Sequence, residues 1–494
     1  MSEQSPGNDS TACKLIAALI ALSSHLIIHQ IDVTSANFSI AFYIPLNIIS
    51  VYLTKLYSLR FTLIVLGTLT ELAISECSKV MDPGDDIRIR RWFSVLSFAG
   101  VLLVRIILIV VMYTTSDLAY FVYMVLGVEA YFVGLFHTSF IGIVPEHSLI
   151  VALSDDTSRL LVLLLQFILR LTIYDRPLLV IKLQMIVCAA VTIAALAAWI
   201  FYHEFEVIST GYFKRKKPES KPPTMPFFRT LADAFSPLAM IVVSSMIKDF
   251  LFPNLLPYAL LNKFRWNFVT AMASILKLIG PILLFSLELK GLFPKWSAPY
   301  NWFWVIIVPM AVIFLYTILA IHTRIPSARR IINSVPKVMV ITVGVVLGNS
   351  FFDPLSYAGV SKVVKPEQIS NPSASPSDAP TSSQKGLADS TQESATSSGE
   401  KAAVSSGNKA DEQDGDNAVI TLHALLVLFI RFAIFKLSEG YNETRISLGY
   451  CFPKFRPNHR MSRSNVGWYL FRKTFKTAWK AIGDDFDMDI RTYL

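Results

Sequence analysis

Charge is scarce in this chain. Asp, Glu, Lys and Arg supply only 16% of its 494 residues, whereas a water-soluble globule carries about 25%. The polar stretches between its apolar runs are mostly too short to fold alone, which excludes a large soluble catalytic domain. Cysteine is scarcer still. The four, Cys13, Cys77, Cys188 and Cys451, lie far apart with no C-x-x-C pair, which excludes a zinc ribbon or a disulfide framework. There is no G-x-x-x-x-G-K-[ST] phosphate loop, no G-x-G-x-x-G after a strand and no H-E-x-x-H. The nearest string to the last, His203-Glu204-Phe205-Glu206, lacks its second histidine. These absences argue against an ATP-driven pump or an intramembrane zinc protease. The expectation is a non-enzyme with no catalytic residue, cofactor or bound metal.

What the chain has in excess is hydrocarbon. Hydrophobic residues make up 53% of it and the mean hydropathy is +0.50. Twelve apolar runs can be drawn: Cys13–Gln30, Phe38–Leu56, Leu59–Cys77, Phe93–Tyr113, Leu118–Val144, Ser158–Ile173, Leu178–Tyr202, Ala234–Pro253, Trp266–Leu287, Trp302–Ile321, Val338–Phe352 and Ile420–Leu437. Each approaches the roughly 20 residues needed to cross about 30 Å of hydrocarbon. Backbone polar groups in lipid must be satisfied within the segment, so runs this long and apolar on all sides are helices. The fold class is therefore all-α, a polytopic membrane bundle.

Polar segments divide the bundle. Residues 1–12 form a polar N-terminus without the basic start of a signal peptide, so the first run is read as a retained helix. Residues 13–202 form an N-terminal helix half. Residues 203–230 form a linker made basic by Lys214, Arg215, Lys216, Lys217 and Lys221 and broken by four prolines. The second half begins with residues 231–352 and closes with a last helix at 420–437. Between them, 353–419 is a Ser/Ala/Asp-rich insert; from Asn371 to Asn417 it has no aromatic residue, a composition that predicts disorder. Residues 438–494 are a basic, aromatic tail. In it Trp468, Phe471, Phe475, Trp479 and Ile482 recur at helical spacing with Arg472, Lys473, Lys476 and Lys480 between them. That pattern suits an anionic membrane surface or a docked tail helix.

Lysine and arginine favour cytoplasmic loops, which places the linker, and with it the insert, inside. Counting onward then puts the Arg324, Arg329, Arg330 and Lys337 loop outside, together with the tail, against the same rule.

An ionisable side chain at the bilayer centre costs roughly 3 kcal/mol on insertion scales and marks a partner or a path. Arg105 and Glu129 lie about 16 to 20 Å from the turn near Ser116 at 1.5 Å per residue, so antiparallel neighbours bring them to one depth. They form either a structural ion pair or part of a substrate path. His25 and His29 share a helix face and, with Glu129 and His137, suggest a proton relay. Two histidines without nearby carboxylates make a weak metal site. Asp249 pairs most simply with Lys248 or Lys277. Arg170, Lys182, Arg431 and Lys436 stand near run ends, where long basic side chains reach the headgroups.

Several segments, taken in order, resemble the equilibrative nucleoside transporter family. "FHTSFIGIVP" (Phe136–Pro145) is similar to the family's fourth-helix end, and "FYHEFEV" (Phe201–Val207) to its sixth-helix exit. Phe252-Pro253 resembles the Phe-Pro of its seventh helix, and "GNSF" (Gly348–Phe351) the tenth helix, with "SKVVKPEQ" (Ser361–Gln368) after it. "SILKLIGP" (Ser274–Pro281) falls where the family has D-x-x-G-R; Lys277 replaces the aspartate, Pro281 the arginine, and Gly280 is kept. Gly134 falls at the family's fourth-helix glutamine, and the first-helix Pro-Trp-Asn is absent.

The resemblance implies eleven helices, against the twelve runs, in two halves arranged as in the major facilitators. It further implies a plasma-membrane carrier that moves nucleosides or nucleobases by alternating access. Its partners would be the lipid bilayer and the solute, with no role for nucleic acid. The expected path residues are Glu129, Gly134, His137, Phe252, Pro253, Lys277, Gly280 and Asn349, and the relay or ion-pair residues are His25, His29, Arg105 and Asp249. Two alternatives stay open: a non-transporting multispanning protein, and another class of secondary transporter or a polytopic membrane enzyme.

Overall fold

The structure, a computed structural model, describes residues 6–45, 48–81, 86–143, 148–173, 175–209, 227–261, 265–293, 296–364, 408–450, 462–487 and 490. Most of the basic linker and of the insert therefore lies outside the described residues. Every regular element described is helical.

The first half contains α1 (Pro6–Ala41), α2 (Ile49–Met81), α3 (Asp86–Thr114), α4 (Leu118–Ile143), α5 (Ser148–Thr172) and α6 (Pro177–Ser209). The second contains α7 (Phe227–Asp233), α8 (Phe235–Leu251), α9 (Arg265–Leu276), α10 (Ile279–Leu289), α11 (Ile307–His322), α12 (Pro326–Arg329), α13 (Val335–Val364) and α14 (Asn408–Ser447). A 3-10 segment, Ala298–Ile306, leads into α11, and α15 (Arg463–Asp487) follows the last span.

Among the described residues nine helices are long and apolar enough to cross a membrane, or ten if α7 and α8, bent by 56° at Ala234, count as one span. α5 is less apolar, because it carries Asp155, Asp156, Arg159 and Arg170. At 25 residues it is nevertheless about 37 Å long. Asp156 and Arg159 are buried and Asp155 is half-buried, while Arg170 near the helix end is exposed and Leu160, Leu164, Phe167 and Leu171 are exposed along a neighbouring stripe. A helix with one wet face and one lipid face crosses a bilayer when the wet face lines a path. Counting α5, six helices precede the linker and five follow it.

One of the twelve runs, Phe38–Leu56, is not a helix of its own. It is no span: α1 ends at Ala41, the chain turns near Pro45, and α2 starts at Ile49. This turn carries no charge, so hydropathy alone cannot see it. Other bounds move too. The N-terminal polar residues join α1 from Pro6, α13 runs on to Val364, and α14 begins at Asn408 and ends at Ser447. The ends assigned to the insert, 353–364 and 408–419, are thus helical, as are the first residues assigned to the tail.

Within the first half, α2 packs on α4, α1 on α5 and α6, and α3 on α4 and α6; in the second, α13 is central, touching α8 to α11 and α14. The halves meet where α2 faces α14, α5 faces α10 and α13, and α1 faces α9. Two of the expected path glycines serve this packing. A Cβ on Gly134 would run into the Ile64 backbone of α2, and one on Gly280 into the Ser350 backbone of α13. Both positions need glycine so that two helix backbones can touch, and neither faces open space.

Candidate functional site

A cavity of about 230 Å³ lies between the halves, lined by α1, α2, α4 and α5 on one side and by α8, α13 and α14 on the other. At roughly 30 Å³ per water it has room for several waters or a small solute. On one face the lining reaches Val151, Ser361 and Ile420, close to the helix ends that lead to the linker and the insert. Toward the other face it stops at Tyr57, Pro253 and Phe435. The cavity therefore extends further toward the linker face than toward the other.

Two layers seal the opposite face. The first is aromatic. Phe435 of α14 stacks on Phe61 and Tyr57 of α2, with centroids 4.5 and 5.7 Å apart. Below it, Lys55 of α2 reaches Glu439 at 2.9 Å and Glu443 at 2.5 Å on α14. Asn442 donates to Thr54 (3.1 Å), and Tyr258, after α8, donates to Ser35 of α1 (2.9 Å). Every one of these bonds joins the first half to the second.

The cavity walls are charged, and almost every charge has a partner. Arg159 holds Asp32 at 2.6 Å, and Asp32 also accepts from Tyr57. Lys248 holds Asp249 at 2.6 Å, while Arg431 reaches Asp353 at 2.7 Å and Asp249 at 3.7 Å. One pair crosses between the halves: Lys277, at the break between α9 and α10, binds Asp156 of α5 at 2.6 Å. Asp155, the neighbour of Asp156, faces His25 and His29 at 3.2 and 3.6 Å. His137 of α4 stands edge-on to His25, centroids 6.2 Å apart.

Of the expected path, relay and ion-pair residues, His25, His29, His137, Asp249, Pro253 and Lys277 line the cavity. The others do not. Glu129 is buried between α2, α3 and α4, where Arg105 binds it at 2.9 Å and Arg60 at 2.6 Å. Arg105 also donates to the carbonyls of Ser23 and Ser24 and to Thr192. The Arg105–Glu129 pair thus stitches together four helices of one half. That corrects its assignment to the path, because two guanidiniums leave a solute no access to the carboxylate. Glu129 likewise makes no relay with the histidines.

Asn349 is buried at the α8–α13 contact, where Ser244 donates to it at 3.3 Å. Phe252 packs on Ala273 and Val346. It follows the end of α8, and both Phe252-Pro253 and Leu256-Pro257 are cis. Two expected headgroup cations turn inward instead: Arg431 lines the cavity, and Lys436 is buried against Glu439 and Asp485. Arg170 meets Asn37 at 3.3 Å, and Lys182 sits over the Tyr113 ring.

The sequence reading passed over Asp32, Asp155, Asp156, Arg159 and Asp353. A signal for the first was present, since His25, His29 and Asp32 share one helix face at spacings of four and three. Asp155 and Asp156 lie before the apolar run, which starts at Ser158, and Arg159 stands at its very start.

The tail helix α15 forms as its spacing predicts. Thr474, Ala478 and Ala481 lie against α14, closest at Gly440, where a Cβ would meet the Thr474 carbonyl. Trp468, Phe471, Phe475 and Trp479 remain exposed. Near its end Asp485 accepts from Lys436 and from Thr62 of α2. Burial pushes the Asp485 carboxyl above the usual carboxylate range, against the pull of Lys436.

No family model and no curated protein matches the chain. Among solved structures it is similar to a bacterial homologue of the human lysosomal transporter Spinster in an inward-facing state. The identity is 13% and the TM-score 0.44, covering 98% of this chain and 95% of that one. It is also similar to a proton-dependent oligopeptide transporter (10% identity, TM-score 0.44, 97% of each chain). A third is a bacterial homologue of the iron transporter ferroportin in an outward-facing state (9% identity, TM-score 0.43, 97% of this chain and 98% of that one).

Proposed function

We propose that the chain is a secondary carrier of major-facilitator-like build that moves a small polar solute by alternating access. The observation that carries this reading is the cavity between the halves, extending toward one face and sealed at the other by groups drawn from both. Such a seam can exchange its open and sealed ends by rocking one half on the other about a fixed central site. The solute class named by the sequence resemblance is nucleosides or nucleobases. Uptake of radiolabelled adenosine and hypoxanthine by a host without nucleoside transporters of its own tests it. Time-dependent, saturable uptake is expected, and uptake equal to the empty host would remove this solute class.

Lys277 lines the cavity, grips Asp156 of the other half and stands where the resembled family has an aspartate, so it bears on which solute charge the path accepts. Lys277→Ala is therefore expected to change solute preference, raising the KM for the preferred solute several-fold and improving entry of more cationic competitors. An unchanged ranking across a panel of neutral, anionic and zwitterionic solutes would take Lys277 out of the site.

Placing the linker and insert in the cytoplasm of a plasma-membrane protein, as Lys214–Lys221 favour, makes this arrangement inward-facing with α15 on the outer face. A C-terminal tag should then bind antibody on intact cells. Labelling only after permeabilisation would turn the protein the other way round.

A further inference from the structure

The cations facing the cavity are accounted for one by one. Arg159 is committed to Asp32, Lys277 to Asp156, and Lys248 to Asp249. Arg431 is shared by Asp353 and Asp249, and Arg60 belongs to Glu129. On α14, His423 is bonded to Ser356 of α13. Asp155 is the carboxylate left over. The side chains within ion-pair reach of it are two histidines of α1, with His137 of α4 standing behind one of them.

The histidine tautomers follow from their partners. Ser158 donates its one hydroxyl proton to the Asp155 backbone carbonyl at 2.6 Å, so its oxygen can only accept from His29 Nδ1, which it touches. His29 Nδ1 therefore carries a hydrogen. In neutral imidazole the other nitrogen, Nε2, is then a bare lone pair, and it points at Asp155 Oδ1 from 3.6 Å. That oxygen is buried and makes no hydrogen bond of its own. His25 does not resolve the conflict. Its Nδ1 lies 3.1 Å from the Ser24 hydroxyl and 3.2 Å from the Ala21 carbonyl, which can only accept, and it comes within 3.2 Å of Asp155 without a hydrogen bond to it. A lone pair and a carboxylate oxygen facing each other in a buried site repel unless a proton lies between them.

We propose that the His29–Asp155 pair binds the coupling proton, and that the carrier is a proton symporter. This rests on the carrier reading above. A proton taken from water in the cavity, by way of His25 and His137 at its edge, adds to His29 Nε2 or to Asp155 and turns the repulsive contact into an attractive one. A hard metal cation fits poorly, since such ions take oxygen ligands. Among the described residues, moreover, no three His, Cys, Asp or Glu side chains converge to hold an ion. The link to movement is Asp156, the next residue of α5, which grips Lys277 of the other half. Protonation at Asp155 removes a negative charge beside that cross-half pair, so loading the proton and closing the halves act on the same turn of helix.

The test uses the full-length protein in proteoliposomes with a pH dye inside and [3H]adenosine outside. An inward gradient of one pH unit is expected to raise adenosine accumulation about tenfold over no gradient for one proton per solute, with acidification of the lumen. Asp155→Asn and His29→Gln should each bring that ratio to one. Adenosine that enters without accumulating and without acidification overturns the proton site while leaving the carrier intact. If adenosine does not move at all, the nucleoside carrier fails, and the site is judged on detergent-purified protein without solute. In a dye-monitored step from pH 8 to pH 5, wild type should then take up one proton more than His29→Gln. Equal uptake would overturn the pair as a proton site.

Discussion

Replacing Glu129 by alanine is expected to destabilise the first half by about 3–5 kcal/mol, the cost of breaking a buried pair and leaving its partner charged. Two guanidiniums are stranded at once, because Arg60 and Arg105 each bind one of its oxygens. The purified variant should unfold at a much lower temperature by intrinsic fluorescence, or fail to accumulate as a monodisperse species. Glu129→Gln, which keeps the shape and loses the charge, should fall between. An unaltered melting midpoint for the alanine variant would show that this cluster does not hold the half together.

Lys55→Ala should open the sealed face. Lys55 bridges Glu439 and Glu443 across the seam, and without it Glu439 keeps only Lys436 at 3.3 Å while the half-buried Glu443 beside it loses this cation. The penalty applies to the state in which this face is closed, because opening lets water reach the carboxylates. Truncating one member of a buried charge pair costs roughly 2–5 kcal/mol. Even about 3 kcal/mol moves a two-state equilibrium on the order of a hundredfold. Spin labels on α2 and α14 near this face should report the longer separation as the main population. Adding Glu439→Gln and Glu443→Gln to Lys55→Ala should restore the short distance. A distance distribution identical to wild type would mean that the aromatic layer alone keeps the face shut.

How much of this was legible depends on the scale of the pattern. Hydrocarbon runs gave the helices, and equal depth from the turn at Ser116 placed Arg105 opposite Glu129, as the structure shows at 2.9 Å. Arg60 was missed because it stands at the start of an apolar run, where an arginine reads as a headgroup anchor. The same logic misplaced Arg431 and Lys436, since distance along a run says nothing about whether a helix extends beyond it. α14 continues to Ser447, so both residues are deeper than they looked. The cavity itself escaped for a different reason. Its walls come from seven helices, and side chains such as Asp155 and Asp353 acquire a role only when those helices meet. The resemblance singled out Lys277, which lines the cavity, and also Gly134 and Gly280, where helix contact explains the glycine without any solute.

For the alternating-access cycle proposed above, the docking of α15 has a consequence. One end of this segment is riveted through Asp485 to the lock beside Lys436 and Thr62, while its aromatic and basic flank is left bare. When the lock releases, the segment must travel with it, dragging that flank against whatever it rests on. The surrounding lipid thereby gains a lever on turnover, and bulky fusions at the carboxyl end would act as a brake.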